Sequence, residues 1–398
     1  MFTIFMVLFF TSCGSSIHSS LVTLSDAAPV NVIQFGAIGD GKTDDSQAFL
    51  KAWEAVCGTK AESSTLVIPD GRTFLLKPVS FQGPCMSSTI NVQIEGTIVA
   101  PDDIGAWTDR EKWLVFSNVN KLSVKGNGKI DGRGAAWWKQ VDKPENRPSA
   151  LAFGSCNDLQ LLGLTHINSP RNHISVYGCN GVTISNLHIF APESSPNTDG
   201  IDISRSTHVQ IQDSIIGTGD DCVAIGTGSS NIVITRVTCG PGHGISIGSL
   251  GANGETSMVE GVQVSDCTFK GTTNGARIKT WQGGSGYARR IFFEQITLDS
   301  VANPIIIDQY YCSSDNNCKN QADAVKVSDV SYIGFRGTSS TEEAIQLSCS
   351  QSVACTNIKL NDISITSSVP GKITRASCIN AHGKLYGRLF PSVDCLSQ

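Results

Sequence analysis

Between Asn197 and Lys279 the sequence concentrates residue types that move protons and hold anions. Asn197-Thr198-Asp199, Gly219-Asp220-Asp221, Gly242-His243-Gly244 and Arg277-Ile278-Lys279 follow one another in that order. Asp199 to Asp221 and Asp221 to His243 are both steps of 22 residues, and Ile203, Ile225 and Ile247 keep the same step. Glycosidic bond hydrolysis needs such a set. One carboxyl group protonates the leaving oxygen, and a second activates water or attacks. Crowded carboxylates raise the pKa of one member, which keeps a proton on hand. Two cations on one strand face suit the carboxylates of an anionic substrate. An Asp-Asp pair alone is an ordinary solvated turn. The shared register, the imidazole and the Arg-x-Lys pair set this one apart.

A fixed period in the twenties is what a solenoid leaves in sequence. Apolar residues alternate in Ile201-Asp202-Ile203 and Val223-Ala224-Ile225, which is a strand period. Together they predict a parallel β-helix. Strands of neighbouring coils lie ~4.8 Å apart, so residues 199, 221 and 243 form a ladder on one outer face. Asp220 sits beside it, and Arg277 and Lys279 lie one coil further on. Other coils begin at Leu159, Val182, Val209, Ile232 and Val262, with steps of 23, 27, 23 and 30. Insertions in the turns explain the variation. Near the N-terminus, Asp44-Asp45-Ser46 precedes Phe49, Leu50, Trp53 and Val56. This predicts a capped helix that ends near Cys57-Gly58 and covers the open end of the solenoid. The Asp pair there reads as cap and turn. Trp137-Trp138 reads as buried rather than sugar-facing.

The chain has 398 residues, of which only 16% are charged, with a net charge of −5. That balance gives no reason to expect nucleic acid. It does not attract an acidic polymer either, so an anionic substrate must be held by local cations. Residues 1 to 20 read as a secretory signal peptide, with an apolar run too short to span a membrane. Residues 28 to 398 are expected to be one solenoid: an exported monomer with no membrane partner, metal or cofactor. Of the 14 cysteines, Cys13 leaves with the signal, and the odd remainder leaves at least one thiol unpaired. Cys312/Cys318, Cys349/Cys355 and Cys378/Cys395 suit disulfides in an exported protein. Cys222 and Cys239 flank the second and third motifs, and stacked coils are expected to join them.

The four motifs resemble those of the polygalacturonases, glycoside hydrolase family 28, and all four are present in order. Ser195-Pro196, Cys239-Gly240-Pro241 and Thr280-Trp281 around them are similar to plant members, and the likeness runs from about Val32 to the C-terminus. The resemblance implies a right-handed parallel β-helix and hydrolysis of α-1,4 bonds in pectin or polygalacturonic acid in the cell wall. It implies Asp220 as general acid, with Asp199 and Asp221 holding and deprotonating the water. His243 would tune the acid and Asn197 support the site. Arg277 and Lys279 would hold a galacturonate carboxylate, and Tyr311 would contact substrate. A ladder at strand spacing suggests the short carboxyl separation of retaining enzymes; the family implies inversion. Endo action is expected, with exo action as the alternative. More distant alternatives are a lyase on the same fold and a non-catalytic wall-binding protein.

Overall fold

The computed structural model describes residues 1–2, 25–107, 109–140, 146–312, 318 and 320–396. Nearly all of the expected signal peptide, Cys13 included, lies outside them. Among the described residues, an 11-stranded sheet runs from Val79–Gln82 to Arg375–Ile379, and a 22-stranded sheet wraps the remaining faces. Every ladder between these strands is parallel, because each coil stacks on the one before. The 22-residue step is a true register: Ile203 pairs with Ile225, Ile225 with Ile247, and Ile247 with Ile278. The coils read from Leu159, Val182, Val209, Ile232 and Val262 are also in register. This is a parallel β-helix.

Alternation decides which side chains enter. Ile203, Ile225, Ile247 and Ile278 point inward and are all 0% exposed. Each such side chain contributes roughly 1.5–3 kcal/mol of burial. Asp202, Ala224, Ser246 and Arg277, one position before them, form an outward row on the 11-stranded sheet. That outer face is the floor of a groove.

The N-terminal helix spans Ser46–Gly58 and buries Phe49, Trp53 and Val56. Trp53 packs 5.4 Å from Phe81 and 5.6 Å from Phe116, which seals the first coils. Asp45 holds the N-cap position without a side-chain cap bond. Its carboxylate instead accepts from the backbone N–H groups of Ile38 and Gly39, while Asp44 accepts from Ser46. The preceding turn folds back onto the helix start and takes the side chain that a cap would use. Trp137 is 1% exposed and stands edge-on to Trp107. Trp138 donates its indole N–H to the Ser169 carbonyl. Both are structural.

Cys222–Cys239, Cys312–Cys318, Cys349–Cys355 and Cys378–Cys395 are disulfides, as the spacing suggested. Cys57–Cys85 was not anticipated; it ties the helix end to an early coil. Cys156, Cys179 and Cys267 are buried free thiols. Among the described residues no helix is long and apolar enough to cross a membrane.

Candidate active site

The groove floor brings the expected residues together through backbone stacking. Gly200 N–H donates to Asp221 O, Cys222 N–H to Gly244 O, and His243 N–H to Asp220 O. Positions 199, 221 and 243 therefore share one row. The turn before Asp220 is tight: a Cβ on Gly219 would run into the Ser195 carbonyl oxygen. Only glycine lets the second motif lie this close to the first. The Cys222–Cys239 bridge anchors the strand that follows.

Adjacent in sequence, Asp220 and Asp221 point into different environments. Asp221 is 0% exposed. Its Oδ1 accepts from Arg277 Nη2 at 2.5 Å and from Ser246 Oγ at 2.9 Å, and its Oδ2 from Lys279 Nζ at 2.8 Å. The two cations expected to hold substrate thus hold Asp221. Burial opposes the charge of Lys279, but Asp221 outweighs it and raises the lysine pKa.

Asp220 faces the groove with more room, its side chain 17% exposed. One oxygen contacts His243 Nδ1 at 2.8 Å and accepts the Asp221 backbone N–H at 2.9 Å; the other accepts from Asn197 Nδ2 at 3.2 Å. Burial pushes its pKa up. The His243 hydrogen bond and charge, followed by Lys279 and Arg277, pull it below the ordinary carboxylate value. Asp199 moves the other way. Burial first, then the charges of Asp202, Asp220 and Asp221, raise it well above that value. Crowding among like charges favours protonation within the cluster. Of the motif carboxyls, Asp199 rather than Asp220 therefore holds a proton more readily.

Several site residues were not anticipated. Asp202 stands in the outward row beside the motif carboxylates, with Oδ1 buried and without a hydrogen-bond partner. Burial raises its pKa to about 7, against the pull of Arg171 and with help from Asp221 and Asp220. His173 Nε2 accepts from Ser169 N–H, so its Nδ1 carries the proton and donates to the Asp199 carbonyl at 3.1 Å. Arg147, 1% exposed, donates to the Pro196 carbonyl and to Asn197 Oδ1, both at 2.7 Å. That second bond turns the Asn197 amide so that its N–H₂ faces Asp220. The parity of Asp202 and Ser246 with Arg277 was readable in advance; Arg147 comes from a loop with no periodic signal.

Lys279 Nζ sits 5.3 Å from the centre of the Tyr311 ring, and Trp281 meets that ring edge-on. Tyr311 therefore borders the cation pair, whereas the Tyr310 hydroxyl donates to the Cys349 carbonyl. Asp220, Asp221 and His243 each place one ligand atom within 4.8 Å of the others. Arg277 and Lys279 already take the Asp221 oxygens that a metal would need, so the set suits proton transfer.

Residues 57–387 match the glycosyl hydrolases family 28. A probable polygalacturonase of Arabidopsis thaliana is 53% identical over 372 residues, which are 92% of this chain and 80% of that protein. A polygalacturonase of Cryptomeria japonica is 44% identical over 92% of this chain and 72% of its own. Among solved structures, the endo-xylogalacturonan hydrolase of Aspergillus tubingensis superposes with a TM-score of 0.79 at 28% identity, covering 93% of this chain and 99% of that one. With its groove carboxylates, cation pair and stacked parallel coils, the chain belongs to the glycosyl hydrolases of family 28 and is a glycoside hydrolase.

Proposed function

We propose that this protein is an endo-polygalacturonase that hydrolyses α-1,4-galacturonosyl bonds of pectin and polygalacturonate in the plant cell wall, with inversion. One observation carries the reading: Asp220, oriented by His243 and Asn197, lies beside Asp221, which is locked between Arg277 and Lys279. Both similar plant proteins bear the polygalacturonase name.

Asp220 donates its proton to the glycosidic oxygen as the C1–O bond breaks. Water attacks C1 from the opposite face, and its proton passes to the Asp199–Asp221 side. With both oxygens held by cations, Asp221 is unsuited to form a covalent sugar ester, which favours direct attack by water. The charges of Arg277 and Lys279 help keep Asp220 ionised. A galacturonate carboxylate that docks beside them offsets their charge, so Asp220 gains proton affinity, while the ionised member of the Asp199–Asp221 pair receives the proton from water. Acid formation is then coupled to the arrival of an anionic sugar. The groove sheet continues on both sides of the site, which supports internal cleavage.

Reducing-end release and product sizing from polygalacturonic acid test the proposal. Oligomers released early support endo action, and monomer alone would replace it with exo action. An ultraviolet-absorbing unsaturated product would overturn hydrolysis. The anomer first formed, read by NMR, decides inversion.

A further inference from the structure

We propose that Tyr177 and Arg205 form a second uronate-binding platform in the groove, on the N-terminal side of the carboxylates; the ligand class rests on the polygalacturonate reading above. Tyr177 ends the groove strand Ile174–Tyr177 and pairs with Ser204 on the next coil. Val176 and Ile203, one position earlier, are buried in the core, so Tyr177 and Ser204 face outward. Ile203, Ile225, Ile247 and Ile278 are in register, and the residues that follow them are Ser204, Gly226, Gly248 and Lys279; the ladder becomes irregular past Ile247, where Gly248 still lies against the Lys279 carbonyl. Tyr177 and Lys279 therefore stand on one outer row, four coil steps or ~19 Å apart. Only Ser204, Gly226 and Gly248 lie between them. Small side chains along that stretch leave a trough that a polysaccharide can occupy.

The two ends of the trough are built alike. At one end Lys279 lies 5.3 Å from the Tyr311 ring centre; at the other the Arg205 guanidinium lies 5.8 Å from that of Tyr177. Tyr177 is 50% exposed, so much of its ring is available for a sugar face. Arg236, Arg277, Arg289 and Arg290 each pair with a carboxylate. Among the described residues Arg205 forms no ion pair within the protein. The ring preorganises its guanidinium, which then meets the carboxylate of a uronate seated on Tyr177.

The test measures binding, in full-length protein carrying Asp220→Asn so that the ligand survives. Affinity for a long de-esterified galacturonate oligomer is expected to fall about tenfold in Arg205→Gln and in Tyr177→Ala. With a fully methyl-esterified oligomer, Tyr177→Ala still weakens binding and Arg205→Gln does not. Gln263→Ala, on the opposite sheet, binds as the parent. No loss in either variant, or equal loss from Arg205→Gln on both oligomers, overturns the platform. The reaction is assayed separately with unmutated protein. Absence of hydrolysis there, with the two binding losses intact, would sink the proposed reaction and leave the platform standing.

Discussion

The Arg277 guanidinium and the Lys279 ammonium both end on Asp221, so each holds the fold besides the substrate role proposed for it. The Lys279→Met change leaves a fully buried carboxylate with one of its two cations gone. Breaking a buried ion pair from one side is costly, so the variant should lose roughly 3 kcal/mol of stability in denaturant titrations. Asp221→Asn in the same chain should restore part of that loss, because no buried charge is then left short of a partner. If Lys279→Met melts like the parent, the pair is not a structural element. Arg147 acts through another residue: it fixes the Asn197 amide that donates to Asp220. Arg147→Lys keeps the buried charge but loses the forked geometry. It is expected to lower kcat ten- to a hundredfold with a smaller change in KM, and to shift the pH limb that reports Asp220. Unchanged pH limbs together with a lowered melting temperature would reduce Arg147 to a packing role. Nothing in the periodicity pointed to Arg147, since loop residues carry no register. His173 was equally hidden, because its contact with Asp199 is made through a backbone carbonyl.

At the scale of the coil, the motif glycine before Asp220 sets how closely two turns can stack. Gly219→Ala forces a methyl group against the Ser195 carbonyl. It should cost roughly 1–3 kcal/mol and displace Asp220 from His243. Activity should then fall further than stability alone explains. A variant with full activity and an unchanged melting temperature would mean that the turn can relax. Ile225→Ala tests the inward row beneath the same motif. Its neighbours Ile203 and Ile247 are fully buried and fixed in the ladder, so collapse into the void is limited, and a loss of roughly 2–5 kcal/mol is expected in urea titrations. These elements were legible because a strand has a period of two and a coil a period near 22, and both leave counts in the sequence. The disulfide between Cys222 and Cys239 was legible for the same reason. The use of Asp45 was not. Whether an aspartate caps its helix or braces the preceding turn depends on how that turn folds back. Where the proton rests was also hidden, because it follows from burial and from four neighbouring charges whose distances no spacing rule supplies.

Across the whole molecule, buried titrating groups pull stability in opposite directions as the pH falls. His166 and His173 are both buried, and burial drives their pKa values down to about 3 and about 4. In the unfolded chain they titrate near ~6.5. Between those limits the unfolded state binds the extra protons, so their contribution is intact above ~6.5 and is lost on acidification. Asp199 and Asp202 are shifted up, the latter to about 7. They bind protons in the fold before the unfolded chain does, so their contribution is present at acid pH and fades as the pH rises towards neutrality. The carboxyl pair thus offsets the histidine pair on the acid side of neutrality. His166 allows the two to be separated. It sits inward in a row with Ile130 and Ile189, and neither ring nitrogen finds a hydrogen-bond partner among the described residues. His166→Ile continues the apolar row and removes a buried polar ring. It should stabilise the protein by roughly 1–2 kcal/mol at pH ~7. That gain should grow by up to about 1.4 kcal/mol for each pH unit below ~6.5, since only the parent then gains a proton on unfolding. Comparing parent and variant at each pH cancels the carboxyl contribution, which both share. Denaturant titrations at pH ~7 and ~5 measure the difference. A gain that is the same at both values would mean that His166 binds its proton equally well in the folded and unfolded chain.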